Sequence, residues 1–495
     1  MSVHNTTGAS VGNDQMKREL GLLDATLLVV GSMIGSGIFI VSADIGRQVG
    51  SPGYLLLVWL VSGLLTMVGA LSYGELAGMM PKAGGQYVYL REAYNPLTGF
   101  LYGWAFFLVI QTGTIAAVAI AFAKYTAVLL PWFSPQNILI HVGNFGISSN
   151  QLLAMTTIIL LTFLNIQGVK TGKYVQLIFT VTKIAALVGL IILGIFVGRN
   201  ATAMQANFSD MWTAVSTQMS NGQIISTENL SGMGLLIAIG LAMVGSLFSS
   251  DAWNNVTFTA GEIKDPKRNL PLSLFLGTLI VTLIYILANV AYLMVLPLKG
   301  DPAGADVLSR GIQFASEERV ATAAAHLIFG DPAVAIMAVF IMISTFGCNN
   351  GLIMAGARVY YAMAKDRLFF KKAGELNKQS VPGFALVIQC VWTCLLCLSG
   401  TYGVLLDYVI FVALLFYITT VGAVFVLRKK APQAERPYKA FGYPFIPALY
   451  IIVALAVSID LLIFKSSTSW AGVFIVASGV PVYFLMKRSN AQSQS

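Results

Sequence analysis

Apolar residues along this chain run in long stretches, and polar and charged residues collect between them. A bilayer-spanning helix needs about 20 mostly apolar residues. Twelve stretches meet that need: 22–48, 53–79, 97–130, 150–168, 174–197, 233–261, 271–297, 333–363, 383–400, 403–427, 444–464 and 470–486. They are numbered here as segments one to twelve. Each far exceeds the ~10 residues of a barrel strand, so the pattern predicts an all-α membrane protein with twelve transmembrane helices. The first twenty residues are polar and lack the short apolar core of a cleaved leader. Of the outer loops, 198–232 is polar. The loop 298–332 is semi-apolar, Ala-rich near 320–329, and is expected to lay short helices across the outer face.

Two segments carry interruptions. Segment one, at about 27 residues, would make a helix of ~40 Å against a hydrocarbon core of ~30 Å. Gly31, Gly35 and Gly37 lie in its middle with Ser32 and Ser36. Each glycine costs a helix about 1 kcal/mol, which makes Gly31–Gly37 a point for unwinding. Segment six reads Gly245-Ser246-Leu247-Phe248-Ser249-Ser250-Asp251-Ala252-Trp253. Aligned on segment one, Gly31/Gly245, Ser32/Ser246 and Ser36/Ser250 coincide. Corresponding interruptions in two halves point to a transport site between inverted repeats; close helix packing through small residues is the competing reading. Unwound backbone frees N–H and C=O groups, tolerable at membrane depth only beside protein or a water-filled cavity. A free amino acid satisfies both kinds of group. N–H groups at a half-helix start, with Ser36 Oγ, suit its carboxylate, and freed carbonyls suit its ammonium. Such a site needs no metal, cofactor or catalytic base.

Composition agrees with membrane embedding: 57% of the residues are hydrophobic and only 10% charged, against about 25% charged in soluble domains. The net charge of +9 is explained by where the cations lie. With the N-terminus in the cytoplasm, 22 of the 30 Lys and Arg fall inside, 6 outside and 2 within spans. That bias predicts both termini cytoplasmic and makes a nucleic-acid partner unnecessary.

The two cations within spans differ. Lys124 is near the outer end of segment three and is expected to reach the surface. Lys183 lies about 13 Å from the inner edge of segment five, too deep to snorkel easily, and an unpaired lysine there costs at least ~2.5–3.5 kcal/mol. It is read as a fixed cation standing where a carrier of this kind would bind sodium, tying segments one, five and eight together with Ser344 as neighbour. Asp251 reads either as a substrate or proton group or as an N-cap for the second half of segment six. Glu75 and Glu262, near cytoplasmic ends, read as partners for loop Lys and Arg. Cys390, Cys394 and Cys397 follow C-x3-C-x2-C, but inside an apolar segment they form one helix face and are expected to pack as small hydrophobes. Cys348 is expected to line the cavity in segment eight. No cysteine lies in an outer loop, and His4, His141 and His326 all lie outside the spans, so neither a disulfide nor a histidine proton relay is expected.

Several motifs in order resemble the amino acid–polyamine–organocation superfamily, and within it the L-type amino acid transporter branch with its bacterial serine/threonine exchangers. They are Gly31–Phe39, Tyr73-Gly74-Glu75-Leu76-Ala77 through Leu90, Trp253-Asn254-Asn255 through Glu262 to Pro271, Ser344-Thr345-Phe346-Gly347 with Asn350-Gly351, and Glu435-Arg436-Pro437-Tyr438. The resemblance implies a five-plus-five inverted repeat with discontinuous helices one and six, two trailing helices, and alternating access. It implies that Gly35, Ser36 and Gly37 receive the substrate carboxylate, that carbonyls of Met33, Phe248, Ser249 and Asp251 receive the amine, and that Phe248 is the outer gate. Ile34 lies within the same break. Many relatives have an aromatic residue and a glycine around the segment-six acid, where this chain has Ser250 and Ala252, which leaves substrate size open.

The resulting expectation is a sodium-independent exchanger of neutral amino acids in the plasma (inner) membrane. Val109, Ile110, Phe411 and Ala413 are expected to give its pocket an apolar lining. Its units are an N-terminal tail 1–21, repeats 22–197 and 233–427, trailing helices 444–487 and a tail 488–495. Proton symport is the alternative within transport. A channel or sensor would need a continuous polar lining, and an enzyme would need clustered His, Asp or Glu; the spans offer neither. Beyond the amino acid and the bilayer no partner is expected, and without an outer cysteine no disulfide-linked heavy chain.

Overall fold

A computed structural model describes residues 16–142, 145–220, 222–399 and 402–492. Most of the N-terminal tail, including His4, and the last three residues lie outside them. The described chain is mostly helical, and ten of its helices are long and apolar enough to cross a membrane. They correspond to segments two to eight and ten to twelve. Segment nine forms a shorter apolar helix, Gly383–Ser399, and segment one is not a single helix at all.

Segment one breaks as its glycines predict. Leu22–Met33 ends at Ile34, the chain is non-helical through Ser36, and short helices Gly37–Ile40 and Ser42–Val49 follow. Segment six runs as Gly232–Ser249, unwinds, and resumes only as Asn255–Phe258 and a 3-10 turn at Ala260–Glu262. Ala252, within the unwound stretch, has φ +63°, a region where a side chain is strained.

Three features depart from the expected pattern. Segment three, Pro96–Leu129, contains a π-helical turn at Phe106–Ile110. Two antiparallel hairpins, Ile138–Val142 with Phe145–Ser148 and Val215–Ser220 with Gln223–Asn229, lie in loops between spans, where no strand was expected of an all-α protein. Their strands are short and only partly buried, so their alternation leaves little imprint on the sequence. The loop 298–332 does form short helices, Val307–Arg310 and Val320–Phe329.

At the end of segment six the chain closes on itself. Leu20 and Ile263 form a parallel bridge, with the Glu19 and Leu20 amides donating to Glu262 O at 2.9 and 3.0 Å. Glu262 in turn accepts from Arg358 Nε and Nη2 of segment eight at 3.0 and 2.9 Å, a pair with 0% and 1% side-chain exposure. Glu75 of segment two accepts from Arg428, Arg436 and the Ala440 amide. Both glutamates meet arginines, as expected. The partner of Glu262, however, comes from within segment eight.

Candidate functional site

The break in segment one orphans a run of carbonyls, and side chains from three other helices take them up. Lys183 Nζ donates to Gly31 O at 2.7 Å and Ile34 O at 2.6 Å. Ser344 Oγ donates to Gly35 O at 3.0 Å and reaches Ile34 O at 3.3 Å. Cys348 Sγ donates to Ser32 O at 3.0 Å, and Tyr285 OH of segment seven reaches Met33 O at 3.2 Å. Every carbonyl from Gly31 to Gly35 therefore lies within reach of a side-chain donor, Met33 O sharing the Tyr285 hydroxyl with Ser249 O. Lys183 is 1% exposed and also reaches Ser344 O at 3.3 Å. Segments one, five and eight meet at this ammonium, which offsets the cost of burying it.

The break in segment six lies against the first. Tyr285 OH also donates to Ser249 O at 2.8 Å, so one hydroxyl bridges a carbonyl from each break. A methyl group on Gly37 would overlap Ser249 Oγ; glycine there lets the start of the second half-helix approach segment six. Phe248 is buried, and its carbonyl accepts the Asp251 amide at 3.1 Å. Ser36 is buried at the N-terminus of Gly37–Ile40.

Asp251 is not an N-cap. The short helix Asn255–Phe258 starts from Asn254 without a side-chain cap, and Asp251 Oδ1 instead accepts from Tyr417 OH of segment ten at 2.5 Å. Two cavities flank this pair, of about 20 Å³ and about 10 Å³. Ala413 lines both, and Ile110 lines the smaller one with Ala252 and Gln111. Val109 is buried in the same π turn as Ile110. Phe411 lines neither cavity and packs on Gly472 of segment twelve. Lys124 donates to Glu317 O of the outer loop at 3.4 Å. Cys390, Cys394 and Cys397 sit on one helix with unlinked thiols, and no group of His, Cys, Asp and Glu able to hold a metal occurs among the described residues. Tyr285 and Tyr417 are missing from the sequence-derived set, since a tyrosine in an apolar helix gives no signal beyond its hydroxyl.

A family model described as amino acid permease matches residues 20–485. The chain belongs to the amino acid permease family. This permease is 30% identical to the serine/threonine exchanger SteT of Bacillus subtilis over 96% of its own length and 98% of that protein's. It is 32% identical to the human large neutral amino acids transporter small subunit 2, over 97% and 82% of the two chains. With the mouse b(0,+)-type amino acid transporter 1 it shares 29% identity over 98% and 90%. Segments one to twelve of the permease all fall within the stretch matched by the family model except the last residue of segment twelve.

Proposed function

We infer that this permease carries neutral amino acids across the plasma (inner) membrane by sodium-independent exchange. The observation that carries the reading is the pair of facing helix breaks, at 34–36 and 250–254, with their carbonyls gathered around Tyr285 and Lys183. Relatives named as exchangers and transporters of amino acids, matched over nearly the whole of this chain, support it.

In this reading the chain makes twelve transmembrane helices. Repeats 22–197 and 233–427 are related by inversion and followed by helices at 444–487, and tails 1–21 and 488–495 lie in the cytoplasm. The breaks fall in the first helix of each repeat, and Lys and Arg bias sets the orientation. The substrate carboxylate meets the backbone N–H groups of Gly35, Ser36 and Gly37 at a half-helix start, where the dipole favours an anion. Its ammonium competes for the carbonyls of Met33, Phe248, Ser249 and Asp251. Ile34, Val109, Ile110, Cys348 and Ala413 complete the pocket, Phe411 supports it from the side of segment twelve, and Phe248 gates its outer side. Lys183 supplies, with Ser344, the positive charge that a sodium ion would bring. All four cysteines lie in helices, so a disulfide-linked heavy chain is not part of the proposal. An acid–base or nucleophilic role is not part of it either.

Counterflow in proteoliposomes tests the reading. Labelled serine or leucine should accumulate only when unlabelled amino acid is inside, and Lys183→Ala should lower exchange by at least about 100-fold, the order expected from leaving several buried carbonyls without a donor, while the protein still inserts. Uptake that needs no internal amino acid but follows a proton gradient would replace exchange by symport. A conductance without counterflow would replace the carrier by a channel.

A further inference from the structure

An apolar hollow between segments two and seven lies away from the helix breaks. It is a groove of about 780 Å³ walled by Met67 and Leu71 of segment two and by Pro271, Leu272 and Phe275 of segment seven, with Phe441 of the loop after segment ten as its roof. Beyond it the apolar face continues along both helices, through exposed Leu60 and Leu64 on one and Ile280, Leu283 and Leu287 on the other. At its other end, Lys267 and Arg268 stand on the first turn of Pro266–Val295. Lys267 is paired with Glu435 at 2.8 Å. Arg268 is exposed, and its guanidinium has no side-chain partner among the described residues. An apolar channel ending in a free guanidinium is matched to a ligand with a long hydrocarbon chain and an anionic head.

The geometry points to a bound anionic phospholipid: one acyl chain in the groove between segments two and seven, and the phosphate at Arg268 and Lys267. Basic pockets between helices at the cytoplasmic side are suited to acidic headgroups, each basic residue adding about five-fold in affinity. The site touches the machinery of closure. Arg436 and the Ala440 amide, flanking Pro437 and Tyr438 of the groove wall, both bond Glu75. The helix Pro266–Val295 begins four residues after Glu262, which holds Arg358 and the Leu20 strap. A lipid seated here braces the 437–441 loop against segment seven and thereby tunes how readily this end opens. The inference rests on membrane embedding and the proposed inner face, not on the identity of the solute.

Photocrosslinking tests it. The full-length protein is placed in phosphatidylcholine vesicles containing a trace of phosphatidylglycerol with a diazirine on its acyl chain, and labelled peptides are mapped after illumination. Labelling should concentrate around Met67–Leu71 and Leu272–Phe275. Unlabelled phosphatidylglycerol should compete and phosphatidylcholine should not, and Arg268→Gln should reduce labelling about five-fold. Because Arg268 has no side-chain partner to lose, that variant is expected to fold, and gel filtration checks it. Equal labelling by a phosphatidylcholine probe, indifferent to Arg268→Gln, would make this an ordinary boundary-lipid position and overturn the inference. Labelling no higher than on other lipid-facing helices would overturn it too. Counterflow in the same vesicles reports separately on the proposed transport function.

Discussion

Lys183 holds three carbonyls within 3.3 Å, and that sets what a substitution does. A methionine of similar length would leave Gly31 O and Ile34 O buried with fewer donors, each costing about 1–3 kcal/mol. Gly37 is constrained by space instead. A methyl group there meets Ser249 backbone as well as its side chain, so Gly37→Ala should push the two breaks apart and abolish substrate binding, read as loss of ligand-induced thermal stabilisation. Gly234→Ala, at a position with open space around it, should bind substrate as the parent does. Lys183 was legible in the sequence because a lone cation deep in an apolar segment must find partners. Tyr285 and Tyr417 were not, because an aromatic ring in such a segment is satisfied by packing, and only the fold shows where its hydroxyl points.

Among the elements, the closure between segments six and eight rests on a buried ion pair. Arg358 and Glu262 are desolvated together, so removing one partner should cost about 3–5 kcal/mol, whereas replacing both by Glu262→Gln and Arg358→Met should cost less than either single change. Chemical or thermal unfolding in detergent measures this, and an additive double variant would show that the pair is not coupled. The helix breaks were readable at this scale because glycine and serine cluster where a continuous helix would be too long. The π turn at Phe106–Ile110 was not, since its five apolar residues fit an α-helix equally well. The hairpins escaped for a related reason: short, half-exposed strands lack a clean period of two. The N-cap role of Asp251 failed because the second half of segment six shortens to the four residues Asn255–Phe258, which moves the helix start past the acid.

For the whole molecule, the proposed replacement of a sodium ion by a lysine has a direct outcome. Exchange in proteoliposomes should be unchanged when external sodium is replaced by choline, and an imposed proton gradient should not drive net uptake. A several-fold fall in rate without sodium would show that Lys183 is a structural cation beside a separate ion site. The bridge made by Tyr285 between Met33 O and Ser249 O then acquires a kinetic meaning. In the proposed binding mode the protein carries its own competitor: the Tyr285 phenol sits on carbonyls that the substrate ammonium would use. Any solute must outbid that hydroxyl, which rejects weak hydrogen-bond donors and caps the affinity of true substrates, and a moderate affinity favours rapid release on the far side. Tyr285→Phe should therefore lower KM while slowing turnover, because the ligand would no longer be displaced by the protein itself.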